Sequence, residues 1–277
     1  MPIVHKVENF IRGNIHRLRG GLEKRRYLAS GPQSQADIVR SNWRDSLTAP
    51  TDFYLRSFRF FRTSPNFPEK LRAHRAYFTR SRRGFGEDAF HTMWFLIFRE
   101  FKPVDFLEIG VYRGQVLSLA SWLQHSNGQK ADIVGISPFE PVGDSVSRYR
   151  NRIDYLTDTQ NNFKHFGLPE PRLLKALSTD GAALELITSR LWDCIYIDGN
   201  HDYEVVKADW DVCSEMIRPN GLIVLDDAGL DTMFEPPVFA TKGHPGPSRV
   251  AAEIDRSQFR ELLQVGHNRV FQRLAAT

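Results

Sequence analysis

The chain contains only two cysteines, Cys194 and Cys213, among 277 residues. That excludes a disulfide-stapled scaffold. Both lie in apolar settings, so two buried free thiols in a reducing compartment are expected. Long apolar runs are also missing: no stretch approaches the roughly 20 residues that span a bilayer. The opening "MPIVHKVENFIRGNIHRLRGG" lacks the apolar centre of a secretory leader, which points to the cytoplasm. No helix-turn-helix, zinc-finger or RNA-binding signature accompanies the basic residues, so nucleic acid is not an expected partner.

Charge is divided unevenly. Residues 1–102 hold 20 Lys/Arg against 9 Asp/Glu, a net +11, whereas residues 103–277 hold 17 against 24, a net −7. The basic part reads as a helical N-terminal extension over 1–102. A solvated arginine face explains its charge; contact with an anionic membrane surface or an acidic partner is the alternative. Val7, Phe10, Ile11, Ile15 and Leu18 recur at helical spacing over residues 1–30. Such a helix would dock on a partner or a second copy of the chain, or lie on a membrane. Ser30 to Gln35 reads as a linker. Glu87 to Phe101 reads as a helix ended by Pro103.

Residues 103–277 follow a different rule. "VDFLEIG", "ADIVGIS", "PRLLKALS", "WDCIYID" and "GLIVLDD" are short apolar runs alternating with helical segments. This predicts an α/β domain, with a mostly parallel sheet covered by helices on both faces. The end, "FRELLQV", "GHN", "RVFQRL", predicts an antiparallel hairpin with a three-residue turn.

In an open parallel sheet, ligands bind beyond the carboxyl ends of the strands. The first strand delivers "LEIGVYRGQVLS", with Glu108, Gly110 and Gly114. The spacing is G-x-x-x-G, not the G-x-G-x-x-G dinucleotide fingerprint, and a carboxylate before the first Gly suits a cationic ligand group. A tight strand–helix turn would also explain the glycines. The third strand ends in Ser178, Thr179 and Asp180, the fourth in Asp198-Gly-Asn-His201, and the fifth in Asp226-Asp227. Three carboxylates at neighbouring strand ends repel one another, and a hard divalent cation such as Mg²⁺ would resolve this. Beside it, a neutral His201 could take a proton from a metal-bound hydroxyl. The long loop Ala228 to Arg249 reads as a lid or substrate wall, with Phe234, Phe239 and His244 facing a substrate or packing inward.

Residues 104–274 resemble a class I S-adenosylmethionine (SAM)-dependent methyltransferase. "FLEIGVYRGQVLS", "WDCIYIDGNHDYE", "RPNGLIVLDD" and the final hairpin carry the likeness. D-G-x-H after the fourth strand and Asp-Asp after the fifth are similar to metal-dependent macrocin- and mycinamicin-type small-molecule O-methyltransferases. The resemblance implies a Rossmann-like methyltransferase sheet. It implies SAM held by Glu108, Gly110, Tyr112, Gly114, Ser137, Ser178, Thr179, Asp180 and Asp198. It implies Mg²⁺ on Asp198, Asp226 and Asp227, and catalysis by His201 with Asp198. Ser137 stands where the family usually has an acid gripping the ribose, and Glu140 could substitute for it. The expected activity is O-methylation of a small hydroxylated acceptor, a sugar, glycoconjugate or phenol, by a homo-oligomer. The alternatives are metal-free methyl transfer, an iron-dependent oxygenase-like activity, and a non-catalytic protein associated with membrane through its basic extension.

Overall fold

The computed structural model describes residues 15–16, 18–29, 38–80, 83–130, 132–144, 146 and 152–275. The helix expected over residues 1–30 is seen as α1 over 18–29, whereas its first part and the linker at 30–35 lie outside the described residues. Four helices follow: α2 (Asp45–Thr48), α3 (Pro50–Thr63), α4 (Glu69–Arg80) and α5 (Asp88–Phe101). Pro50 opens α3, where a missing N–H costs nothing. Lys102 stops α5 in a left-handed conformation, φ 47°, and Pro103 follows.

The sheet has seven strands in the order β3-β2-β1-β4-β5-β7-β6. They are β1 (Asp105–Ile109), β2 (Asp132–Ser137), β3 (Arg172–Lys175), β4 (Trp192–Ile197), β5 (Ile217–Leu225), β6 (Phe259–Val265) and β7 (Asn268–Arg273). The first five pair in parallel; β7 runs antiparallel to both β5 and β6. The connecting helices are α6 (Gln115–Ser126), α7 (Tyr155–His165), α8 (Gly181–Thr188), α9 (Tyr203–Met216) and α10 (Pro245–Glu253). This is the expected Rossmann-like methyltransferase sheet. The hairpin turn is one residue tighter than the sequence suggests: Asn268 pairs with Val265, so only Gly266 and His267 form the loop. Gly266, at φ 62°, makes that shorter loop possible.

Strand periodicity divides the interior in two. Leu107, Ile109, Ile195, Ile197, Ile223 and Leu225 face α8, α9 and α10. The alternate positions, Phe106, Tyr196, Leu222 and Val224, share a core with Phe53, Phe58, Trp94 and Phe98 of α3 and α5. The basic extension is thus packed into the core of the sheet rather than resting beside it. Many of its arginines are exposed, as a solvated face requires, but some are also used structurally. Arg62 and Arg75 both reach buried Asp88, and Arg72 donates to the Phe61 carbonyl at 2.6 Å. Such bonds satisfy helix-end carbonyls and a buried acid that would otherwise be costly.

Candidate active site

The strand order reverses between β1 and β4, and the chain crossings there are close. Beyond the strand ends, Gly110 N donates to Ile136 O, Asp198 N to Ile109 O, and Asp226 N to Ile197 O, at 2.8–3.0 Å. Gly110 has φ 99°, and a Cβ there would lie 1.9 Å from the Asp198 carbonyl oxygen. Only glycine fits that position. Gly114, at φ 72°, precedes the first turn of α6.

A cleft opens at this switch point. Gly110, Ser137, Ser178, Thr179, Gly199 and Asn200 are among its walls. Of the residues the sequence assigns to a cofactor, these include Gly110, Ser137, Ser178 and Thr179. Asp180 is turned away: its carboxylate accepts from Leu177 N at 2.8 Å and fixes the turn that presents Ser178 and Thr179. Glu140, the alternative ribose acid, is exposed, paired with Lys175 and outside the walls of the cleft. Tyr112 packs between Phe85 and Tyr155, with ring centroids at 4.7 and 5.1 Å. Glu108 is buried beneath the loop, and its Oε2 has no hydrogen-bond partner. Burial pushes its pKa up to about 8, so at neutral pH it retains its proton.

The second cavity adjoins the first through Asn200 and is lined by Asp198, His201, Asp226 and Asp227. Burial, reinforced by Asp226, raises the Asp198 pKa well above the carboxylate range, so Asp198 donates a hydrogen bond to Asp226. Asp226 goes the other way: although burial opposes ionisation, the charge and hydrogen bond of His267 hold it low. The Tyr196 hydroxyl also bonds to Asp226, and burial lifts its pKa. Asp227 sits at φ 52° and its carbonyl accepts from His244 N at 2.7 Å.

His201 is clamped. Its Nδ1 lies 2.6 Å from Asp144 Oδ2 and its Nε2 2.9 Å from Asp227 Oδ2. Burial resists a charged ring, but the two carboxylates raise its pKa to about 9. With a carboxylate on each nitrogen the charged ring is favoured, and the neutral base expected from the sequence requires that one of these charges be compensated. His267 Nε2 lies 3.3 Å from Asp226 Oδ1 and 3.7 Å from Asp227 Oδ1. Against its burial, Asp226 pushes its pKa up to about 10.

Among the described residues, two sets bring three ligand atoms within 4.8 Å of one another: His201, Asp227, His244, and Asp226, Asp227, His267. Asp198 belongs to neither set. The sequence-derived group Asp198, Asp226 and Asp227 is thus a chain of neighbours, with Asp198 bonded to Asp226. Tyr196, Asp144 and His267 were not singled out from sequence. Strand alternation from Asp198 points to Tyr196, and the antiparallel pairing of β7 on β5 points to His267. Nothing in the sequence marks Asp144. In the loop Ala228 to Arg249 the inward-packing alternative holds for both phenylalanines: Phe234 is fully buried, 5.3 Å from the Tyr54 ring, and Phe239 packs 5.2 Å from Phe58. Of the loop residues named, only His244 reaches this site, with its ring centroid 4.4 Å from that of His201.

Comparison with known proteins agrees with this architecture. Residues 107–228 match a family model described as a methyltransferase domain. An uncharacterized protein of Acanthamoeba polyphaga mimivirus is 24% identical over 156 residues, which are 56% of this chain. The matched part spans 62% of that relative's length. The O-methyltransferase of Bacillus cereus in complex with SAH superposes with a TM-score of 0.52 at 13% identity, over 86% of this chain and all of that one. The O-methyltransferase NovP superposes with a TM-score of 0.51 at 16% identity, over 67% of this chain and 79% of that one. At such identities the likeness is one of fold. The family match runs from β1 to just past Asp227, so the region that bears the candidate site is similar to a methyltransferase domain.

Proposed function

We propose that the protein is a SAM-dependent O-methyltransferase acting on a small hydroxylated acceptor, with a divalent ion at Asp226 and Asp227. The observation that carries this reading is the crowding of Asp198, Asp226 and Asp227 beside the switch-point cleft. The metal-free protein balances that crowd with a retained proton on Asp198 and two imidazolium rings. The residues fit a cation: two carboxylates are adjacent, and Asp226 Oδ1 has no well-aligned hydrogen-bond donor.

SAM supplies an already activated methyl group, and a bound divalent ion would supply Lewis acidity toward a hydroxyl. The protein does the rest. The backbone at Gly110 and Gly199 permits close approach, and Ser137, Ser178 and Thr179 offer neutral hydrogen bonds in the cleft. Glu108 lies beneath the loop as a neutral acid, and an approaching ammonium would favour its ionised form. His201, held in direction by Asp144, is placed to receive the acceptor's proton. It can do so above its pKa of about 9, or below it once the charge of Asp227 is compensated. Much of the rate would come from lining up oxygen and methyl carbon.

A second reading is metal-free methyl transfer. It is favoured by the same two imidazolium rings, which already neutralise Asp226 and Asp227. Methyl transfer to a panel of polyols and phenols, assayed with and without EDTA, separates the two. The metal-assisted reading expects chelation and Asp226→Ala each to lower the rate by more than about 100-fold. Activity that survives both assigns the metal-free route.

A further inference from the structure

The last hairpin brings a histidine to the carboxylates by strand register. Leu225 of β5 pairs with Arg269 of β7. Two steps further along each strand, Asp227 and His267 stand opposite, and Ala228 N donates to His267 O at 2.9 Å. His267 is 7% exposed, and the Phe90 ring packs on it with centroids 4.8 Å apart. The ring is therefore fixed in position.

Its two nitrogens face different surroundings. Nδ1 lies 3.1 Å from both the carbonyl oxygen and the hydroxyl of Thr241. Donation from Nδ1–H to that carbonyl turns Nε2 toward Asp226 Oδ1 and Asp227 Oδ1. This nitrogen and two carboxylate oxygens need a positive species among them, either the Nε2 proton of an imidazolium or a cation. A proton on Nε2 serves one oxygen well; a cation serves all three atoms. Ligands about 2.1 Å from one ion and about 90–110° apart are themselves separated by about 3.0–3.4 Å. The observed separations from Nε2 are 3.3 and 3.7 Å. A backbone carbonyl holding the far nitrogen is the usual support of a metal-ligating imidazole.

We infer that His267 is a metal ligand together with Asp226 and Asp227, and that this site takes a first-row transition dication in preference to Mg²⁺. The inference rests on the metal-assisted reading above. One imidazole and two carboxylates form a mixed nitrogen–oxygen set, which suits Mn²⁺, Fe²⁺, Co²⁺ or Zn²⁺, whereas Mg²⁺ selects oxygen donors. His201 lies outside this set: its Nε2 is on Asp227 Oδ2 and its Nδ1 on Asp144 Oδ2. It stands instead on the Oδ2 side of Asp227, facing His244.

The test is made on the full chain stripped with chelator, using Mn²⁺ and Mg²⁺ alone in titration calorimetry and pulsed EPR of the Mn²⁺-loaded protein. The expected result is Mn²⁺ binding at least about tenfold tighter than Mg²⁺, with an imidazole-nitrogen coupling in the EPR signal. That coupling disappears in His267→Asn and persists in His201→Asn. His267→Asn also weakens Mn²⁺ by about tenfold or more. Retained binding of S-adenosylhomocysteine shows that each variant is folded. Equal affinities for the two ions, or Mn²⁺ bound with no nitrogen coupling in the unaltered protein, overturn the inference while leaving a metal-assisted enzyme. Absence of any divalent ion binding overturns both.

Discussion

Along the carboxyl edge of the sheet, two neighbouring groups of strands are built from different chemistry. At β1, β2 and β3 the groups presented to the cleft are glycine backbone and the hydroxyls of Ser137, Ser178 and Thr179. At β4, β5 and β7 they are Asp198, Asp226, Asp227 and His267, packed so closely that Asp198 keeps its proton. The first group recognises by shape and neutral hydrogen bonds, which tolerate a cationic ligand without demanding one. The second is a set of charges held apart from water, and its energy depends on what balances it. The cofactor side is therefore a pocket, and the carboxylate side is an electrostatic device.

Three substitutions probe that division. The largest effect belongs to the seam itself. Gly110→Ala forces a side chain into the Asp198 carbonyl and into a left-handed backbone. It should cost about 3 kcal/mol or more in urea unfolding and abolish binding of S-adenosylhomocysteine, because both sides hang on this crossing. A variant of wild-type stability would show that the two sides are not joined here.

Next comes Glu108, a buried acid under the neutral side. Its folded pKa, about 8, lies above the ordinary carboxylate value of 4.5. The folded protein thus binds the extra proton between these values, and stability falls as pH rises through that window. Glu108→Gln removes this slope. The variant should gain about 1–3 kcal/mol over the parent at pH 8, and this pH-dependent gain should vanish near pH 4. Urea midpoints at the two pH values decide it; an unchanged difference would mean that folding does not shift Glu108.

The smallest effect is expected at Asp180. Although charged and adjacent to the cleft, it only braces the Leu177 turn. Asp180→Ala should change the S-adenosylhomocysteine affinity by less than about threefold, within the cost of one exposed hydrogen bond. A loss of 30-fold would return Asp180 to the cofactor contacts.

Much of this was legible in the sequence, for definite reasons. Alternating apolar runs and helical segments require a covered parallel sheet, and strand ends then identify Gly110, Ser178, Asp198 and Asp226 without coordinates. What stayed hidden depends on pairing between distant segments. His267 looks like a turn residue until β7 is laid against β5. Tyr196 looks like core until its alternation with Asp198 is followed along one face. Asp144 comes from a loop 57 residues before His201, and no local pattern links them. For Phe234 the sequence leaves two orientations open, and the pairing decides: a polar, proline-broken loop buries this ring because α3 supplies Tyr54 opposite it.

The shared core has a consequence for how such a protein can vary. Trp94 of α5 meets Tyr196 edge to face at 5.1 Å, and Tyr196 in turn bonds to Asp226. Phe90 of the same helix packs on His267, so α5 meets the carboxylate side through two rings. A change in the helical extension is therefore felt at the carboxylates through the core that both parts share.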